Sequence, residues 1–184
     1  LQIASEARAR ATALQVLKDC MVDEPENLDV YAIAFMRNVL VEEGVLQGAQ
    51  GRLVVRNGRG KARVDESIPE LGRKRFVAAH ELGHFELHLS KKASLFSCKA
   101  EYFDMWRRTN PIAEREANAF AAEFLMPKHM FESRCVGGRP TVETITELAN
   151  TFKTSLTATS LRLLDFTAEV CLVVCSVGGY VQWS

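Results

Sequence analysis

The sequence predicts an α+β fold in which helices pack against a small antiparallel sheet. Helical patterns open the chain, two short strands around an Asn-Gly dipeptide follow, and further helical patterns fill most of the remainder. The chain has 184 residues, of which 47% are hydrophobic, so it can bury one sizeable core. We therefore expect one compact domain with an appendage.

Two helices and a hairpin are predicted in the N-terminal part. The first helix spans residues 4–20, and its apolar side chains recur at an amphipathic spacing at Ala7, Ala11, Leu14 and Leu17. The second spans residues 28–42, where Asn27 is a suitable N-cap and Gly44 a suitable end. Residues 51–64 predict a β-hairpin, because Asn-Gly favours the tight turn between two strands.

His80, Glu81 and His84 form an H-E-L-G-H motif, the most informative feature of the sequence. The preceding residues 73–79 contain no Pro or Gly, which places the motif inside a helix. The two histidines then share one helix face, about 6 Å apart along the axis, and can bind one zinc ion. Glu81 lies beside the ion, where its carboxylate can take a proton from zinc-bound water. This is the chemistry of peptide hydrolysis, and the alternative is a chance match in a helix rich in His and Glu.

A catalytic zinc site has three protein ligands and one open position, so a third ligand is required. His88 is unsuitable because it lies roughly 12 Å from His80 along a straight helix, and we expect it near the C-terminal carbonyls of that helix. The metzincin pattern needs Gly and His where the chain has Leu87 and Ser90. The third ligand must therefore come from another element.

Residues 114–127 contain the candidate, in a helix that Pro127 ends. The face that begins at Glu114 continues with small residues and can pack closely on another helix. The face that begins at Glu116 carries a more mixed set of side chains and is better suited to exposure to solvent. Glu114 is therefore the predicted third ligand. Asn118, one turn further on, is placed to hydrogen-bond a ligand imidazole.

The two motifs together resemble the ImmA/IrrE family of bacterial zinc metallopeptidases. The resemblance rests on R-F-V-A-A-H-E-L-G-H-F-E-L-H and E-R-E-A-N-A-F-A-A-E-F-L-M-P, and it extends more weakly from about residue 28 to residue 162. It implies a zincin-like, gluzincin-type core in which His80, His84 and Glu114 bind Zn²⁺ and Glu81 is the general base. It also implies a helix-turn-helix transcriptional repressor as substrate, in a stress or mobile-element response.

Several features of the expected site are left open. Mn²⁺ or Fe²⁺ can replace zinc, since a His-His-carboxylate set is not selective. Tyr102 and His129 are candidates for stabilising the tetrahedral oxyanion, although each also suits an ordinary surface or core position. The hairpin either holds an extended peptide by strand addition, as a sheet edge does in zincins, or is purely structural with Arg and Lys that keep its edge soluble.

The composition argues against strong nucleic-acid binding and against a membrane partner. Lys+Arg and Asp+Glu are both 23, so no charge excess supports strong nucleic-acid binding. The longest apolar run, residues 170–177, is too short to span a bilayer, so no membrane partner is expected.

An odd number of cysteines without C-x-x-C spacing indicates free thiols in a reducing cytoplasm. Cys98 is expected to be a small buried residue rather than a thiolate that blocks the metal. The chain lacks an initial Met and a leader, which predicts a trimmed soluble protein.

Residues 141–162 predict two short helices joined by a turn, similar to a helix-turn-helix. The second of them has a single basic residue, Arg162, whereas phosphate binding needs several. We therefore interpret this segment as a packing or substrate-docking module. Around Gly178 and Gly179 a final hairpin is predicted. The predicted parts are a metallopeptidase core, a helix-turn-helix-like segment and a C-terminal hairpin, in residues 1–133, 134–167 and 168–184.

Three functions follow from these observations. The leading hypothesis is a cytoplasmic zinc endopeptidase that cleaves a repressor protein. The alternatives are a DNA-binding regulator and a zinc-containing protein that binds its repressor without cleaving it, since an intact site does not prove turnover.

Overall fold

The computed structural model describes residues 2–88, 94–99, 110–135 and 140–183, which form the predicted α+β fold. The helices are α1 (Gln2–Asp19), α2 (Val30–Met36), α3 (Leu71–His88), α4 (Ile112–Leu125), α5 (Lys128–Cys135), α6 (Val142–Phe152) and α7 (Leu156–Leu163). The strands are β1 (Val39–Gly44), β2 (Gly51–Arg56), β3 (Arg59–Asp65), β4 (Ser94–Cys98), β5 (Cys175–Val177) and β6 (Tyr180–Trp183). In these ranges, no helix is both long enough and apolar enough to cross a membrane.

The main sheet has four strands in the order β1-β3-β2-β4. Strands β2 and β3 form the predicted hairpin, and Asn57 and Gly58 between them have the positive φ angles, 52° and 73°, that a type I′ turn requires. Strand β4 pairs antiparallel with β2, whereas β1 pairs parallel with β3. Both hairpin strands therefore have partners on both sides. The expectation that the hairpin offers an edge, for a peptide or for solvent, is wrong.

The second predicted helix is too long. Helix α2 ends at Met36, and the residues that follow Asn38, whose φ angle is 65°, form β1. Its N-cap is Asp29, whose carboxylate accepts hydrogen bonds from two backbone N–H groups, and not Asn27, which ends a short 3-10 helix. Val39 is fully buried against the core, and its pairing with Gly60 of β3 decides in favour of a strand.

Helix α3 lies at the centre of the fold, between the sheet on one side and α4 on the other. Its residues 75–85 are all buried, so it has no solvent-facing stripe in that stretch. Gly83 faces α4, where a Cβ atom would lie 3.1 Å from the Phe120 ring. This close approach brings the side chains of α3 and α4 within hydrogen-bonding reach of each other.

Helices α6 and α7 are the predicted pair of short helices joined by a turn. Thr141 and Ser155 cap them, and Lys153 between them has a left-handed φ of 51°. Arg162 is only 3% exposed and donates hydrogen bonds to the carboxylate of Glu123 and the carbonyl of Met126. Arg162, the basic residue considered for phosphate contact, is therefore buried and paired within the core.

The C-terminal hairpin joins β5 and β6 through Gly178 and Gly179, whose φ angles are 58° and 84°. The division of the chain after residues 133 and 167 stays a prediction.

Candidate metal centre

Helix α3 brings its motif residues to the buried centre of the fold. His80 and His84 are fully buried, and their Nε2 atoms lie 3.0 Å apart, one helical turn from each other. Burial lowers the pKa of His84, which favours the neutral imidazole that binds a metal ion. Two imidazole nitrogens thus point to one location between α3 and its neighbours.

Helix α4 contributes Glu114 to the same location from its first turn. One oxygen, Oε2, lies 3.1 Å from Nε2 of His80 and 3.4 Å from Nε2 of His84. Burial opposes ionisation of Glu114, but in the metal-free site hydrogen bonds and charge from protonated imidazoles outweigh burial and hold the pKa of this carboxyl below its usual range. In the neutral imidazoles that bind a metal ion, a lone pair on Nε2 takes the place of that proton. Glu114 is therefore a carboxylate aimed at both histidines.

Asn118, one turn further along α4, orients His80. The amide oxygen of Asn118 lies 2.8 Å from Nδ1 of His80, so that nitrogen carries the proton and donates it. The lone pair of His80 is then on Nε2 and faces His84 and Glu114. This is the contact that helix periodicity predicts for Asn118.

His88 and Glu116 orient His84, and neither contact is among those predicted from the sequence. Nε2 of His88 lies 2.8 Å from Glu116, so its N–H donates to the carboxylate. Nδ1 of His88 then accepts from Nδ1–H of His84 at 3.1 Å, which leaves the lone pair of His84 on Nε2. Glu116 is 6% exposed and lies 3.7 Å from Arg8, so the expectation that its face meets solvent is wrong.

From its position, His88 was expected to interact with the C-terminal carbonyls of its own helix. Its two ring nitrogens instead contact His84 and Glu116. A sequence signal for this role exists: His88 follows His84 by four residues and therefore lies on the same helix face.

Strand β4 closes the location from the sheet side. Phe96 stacks on the His84 ring at 4.7 Å between centroids, and Sγ of Cys98 lies 3.5 Å from Nε2 of His84. Burial, reinforced by the carboxylates of Glu81 and Glu114, raises the pKa of the Cys98 thiol, so the sulfur keeps its proton when no cation is near. Cys98 is buried as expected, but it lies inside the site.

Four side chains thus form a four-donor cluster, consisting of His80, His84, Cys98 and Glu114, whose ligand atoms all lie within 4.8 Å of one another. Zinc binds nitrogen and oxygen at about 2.0–2.2 Å, so a tetrahedral ion separates two such ligands by roughly 3.4 Å. The observed separations between nitrogen and oxygen ligands, 3.0 to 3.4 Å, are close to that value. The cluster therefore fits a divalent metal ion, and its imidazole, carboxylate and thiol donors suit zinc.

Glu81 lies beside the cluster and is fully buried. Neither of its carboxylate oxygens meets the geometry of a hydrogen bond among the described residues, although the Cys98 thiol lies close enough to act on its pKa. Burial raises its pKa to about 8. Gly51 of β2 makes room for this side chain, because a Cβ atom there would collide with Glu81 and lie 2.9 Å from Val77. An unpaired buried carboxyl is costly, so its position indicates a function rather than a structural role.

Of the two candidates for oxyanion stabilisation, the structure describes only His129, and this residue does not contact the four-donor cluster. Tyr102 lies outside the described residues. His129 is exposed on α5 and lines a surface cavity beside Leu14 and Leu17 of α1 and Met21 just after it, and no member of the four-donor cluster lines that cavity.

Comparison with protein families gives one match. Residues 66–164 fit the family model Peptidase_M78, described as the IrrE N-terminal-like domain, and this range contains α3, α4 and the helices α5, α6 and α7 that follow Pro127. No curated protein matches the chain. The matched range is more than half of the sequence and includes the whole four-donor cluster. The chain therefore belongs to the Peptidase_M78 family, that of the IrrE N-terminal-like domain, and is a peptidase of the ImmA/IrrE type.

Proposed function

We propose that this protein is a zinc-dependent endopeptidase of the cytoplasm that cleaves a helix-turn-helix transcriptional repressor in a bacterial stress or mobile-element response. The observation that supports the chemistry best is the unpaired carboxyl of Glu81 beside the converging donors of His80, His84 and Glu114. In this proposal these three residues hold the ion, which supplies a Lewis acid for the peptide carbonyl.

Glu81 is the proton carrier in the proposed mechanism. Its carboxylate accepts the proton of the attacking water and then donates it to the nitrogen of the departing amine. Neither oxygen meets the geometry of a hydrogen bond among the described residues, and the neighbouring Cys98 thiol is only a weak donor. Asn118 and the pair His88 and Glu116 keep the histidine lone pairs directed at the cluster, which preserves the site while the substrate binds.

Strand β4 is the proposed substrate edge, in place of the hairpin. It is the outer strand of the described sheet, and Phe96 and Cys98 place it directly against His84. A peptide that adds to this edge in an extended conformation has its backbone carbonyls next to the site. An edge of this kind recognises the main chain, which suits an endopeptidase acting within a protein.

Helices α6 and α7 are the proposed docking surface for the repressor. Val142 at the start of α6 and Leu156 at the start of α7 are 72% and 53% exposed, so apolar surface is available there. The buried position of Arg162 opposes the rival function of sequence-specific DNA binding.

The test is a gel assay in which the metal-loaded protein is incubated with a candidate repressor, with and without a chelator. Glu81→Gln should keep the metal and the fold but lose at least about a hundredfold in cleavage rate, because an amide cannot accept the proton. Glu86→Gln is the matched control, since Glu86 lies on the same helix but pairs with Arg37. Cleavage that survives chelation or Glu81→Gln would contradict the mechanism. A repressor that binds yet stays intact with every metal-loaded variant would favour the non-cleaving regulator.

A further inference from the structure

Cys98 is held firmly at the cluster by strand pairing. It ends β4 directly opposite Gly51 of β2, and its carbonyl accepts a hydrogen bond from the backbone N–H of Gln50 at 3.0 Å. Its side chain is fully buried. The sulfur therefore reaches the cluster from a strand whose register is fixed by the central part of the sheet.

The position of the sulfur matches that of a metal ligand. Zinc binds thiolate at about 2.3 Å and imidazole at about 2.0–2.1 Å, so a tetrahedral ion separates sulfur from nitrogen by roughly 3.5 Å. The separation between Sγ of Cys98 and Nε2 of His84 is 3.5 Å. All pairs among the four donors lie within 4.8 Å, so small side-chain shifts bring all four within bonding distance of one ion.

A fourth protein ligand changes what the site can do. Catalytic zinc sites keep one position open for water, whereas sites with four protein ligands are closed and structural. His80, His84 and Cys98 are fully buried and Glu114 is 8% exposed, so the described residues leave little access for water. The fully buried carboxyl of Glu81, whose oxygens have no hydrogen bond of standard geometry among the described residues, lies beside the same four donors.

We propose that Cys98 is the fourth ligand of the metal and holds the peptidase in a latent form. Binding releases the thiol proton to solvent, and the sulfur then occupies the position that the attacking water needs. Displacement of the sulfur, for example by movement of β4, opens the position for water. The latency rests on the proposed peptidase function, whereas the metal–sulfur bond does not.

Zinc X-ray absorption of the full-length protein tests the bond directly. The wild type should show one sulfur at about 2.3 Å, and Cys98→Ala should show only nitrogen and oxygen neighbours. Cys135→Ala is the matched control, because Cys135 is a free, partly buried cysteine of α5 that is not a member of the cluster. Circular dichroism and thermal melting establish that each variant is folded before its spectrum is compared.

Cleavage of the candidate repressor tests the latency. Cys98→Ala should cleave at least about tenfold faster than the wild type, since a thiolate bound in nine of ten molecules leaves a tenth of them competent. The Cys135→Ala variant should cleave at the wild-type rate. A faster Cys98→Ala variant that has lost the zinc–sulfur bond supports both parts of the proposal.

Each contrary outcome identifies what has failed. A wild type without sulfur around zinc overturns the proposal and leaves the peptidase function standing. A zinc–sulfur bond together with equal cleavage by the wild type and Cys98→Ala overturns the latency. If the bond is present but neither protein cleaves the repressor, the ligation holds, and the proposed function fails together with the latency.

Discussion

The buried carboxyl of Glu81 should make the metal-free protein less stable as pH rises, and Glu81→Gln should remove this effect. Its pKa is about 8 in the folded protein, compared with an ordinary value of 4.5. Below about pH 4.5 the carboxyl is neutral in both states, so the folded protein keeps its full stability. Between these values the unfolded chain releases a proton that the folded protein retains, so the free energy of unfolding falls.

The magnitude follows from the two pKa values. Each pH unit between them costs about 1.4 kcal/mol, which gives about 2.5 kcal/mol between pH 5.5 and pH 7.5 once the curvature near pH 8 is included. Glutamine does not titrate, so the variant should gain this amount relative to the wild type over the same range. Because Glu81 is fully buried, no screening by solvent reduces the effect.

Urea unfolding at pH 5.5, 6.5 and 7.5 in the presence of a chelator measures the difference. The chelator is essential, because a bound cation would favour the ionised carboxylate. The variant Glu86→Gln is the control, because it shows how the free energy of unfolding changes when a different carboxylate is removed from the same helix. A difference between Glu81→Gln and the wild type that stays constant over this range would refute the reasoning, since Glu81 would then be ionised and would require a partner.

Four further predictions concern metal binding, packing and the exclusion of DNA binding. Glu114→Ala should lose metal binding strongly, whereas Glu116→Ala should still bind one ion at saturation but about 10- to 100-fold more weakly, as measured by competition with a chelator; the reverse order would exchange their roles. Gly51→Ala should lower the free energy of unfolding by about 1–3 kcal/mol, because the new methyl group collides with Glu81, and an unchanged melting temperature would contradict this clash. Arg162→Ala should destabilise the fold by about 3 kcal/mol, because it leaves the carboxylate of Glu123 buried without this partner. In a mobility-shift assay at physiological salt the wild type should form no sequence-specific complex with DNA, and a nanomolar complex would favour the regulator.

Local spacing predicted those features whose defining sequence pattern lies within one helix or one turn. His80 and His84 converge because they are one helical turn apart, and the Asn-Gly hairpin forms because its turn needs two positive φ angles. Glu114 and Asn118 could be identified because their helix shows a face of small residues. In each case the decisive information lies within about a dozen residues of sequence.

Features decided by distant partners could not be predicted in the same way. The short apolar run at Val39 is compatible with a helix or a strand, and its pairing with β3 decides for the strand. Glu116 lies on a mixed face that fits solvent when α4 is considered alone. In the fold, however, α1 and α3 cover α4 from different sides, so no long face of this helix is left for water. Such a helix has no amphipathic pattern to interpret.

Charge balance connects Cys98 with the unpaired carboxyl of Glu81. In the proposed latent form, the carboxylate of Glu114 and the thiolate of Cys98 carry two negative charges, which balance a divalent cation in a site that is closed to solvent. Displacement of the sulfur leaves one positive charge without a counterpart next to Glu81. This charge favours the ionised carboxylate, which is the form that accepts a proton from water. Opening the position for water and preparing the base are then consequences of the same displacement.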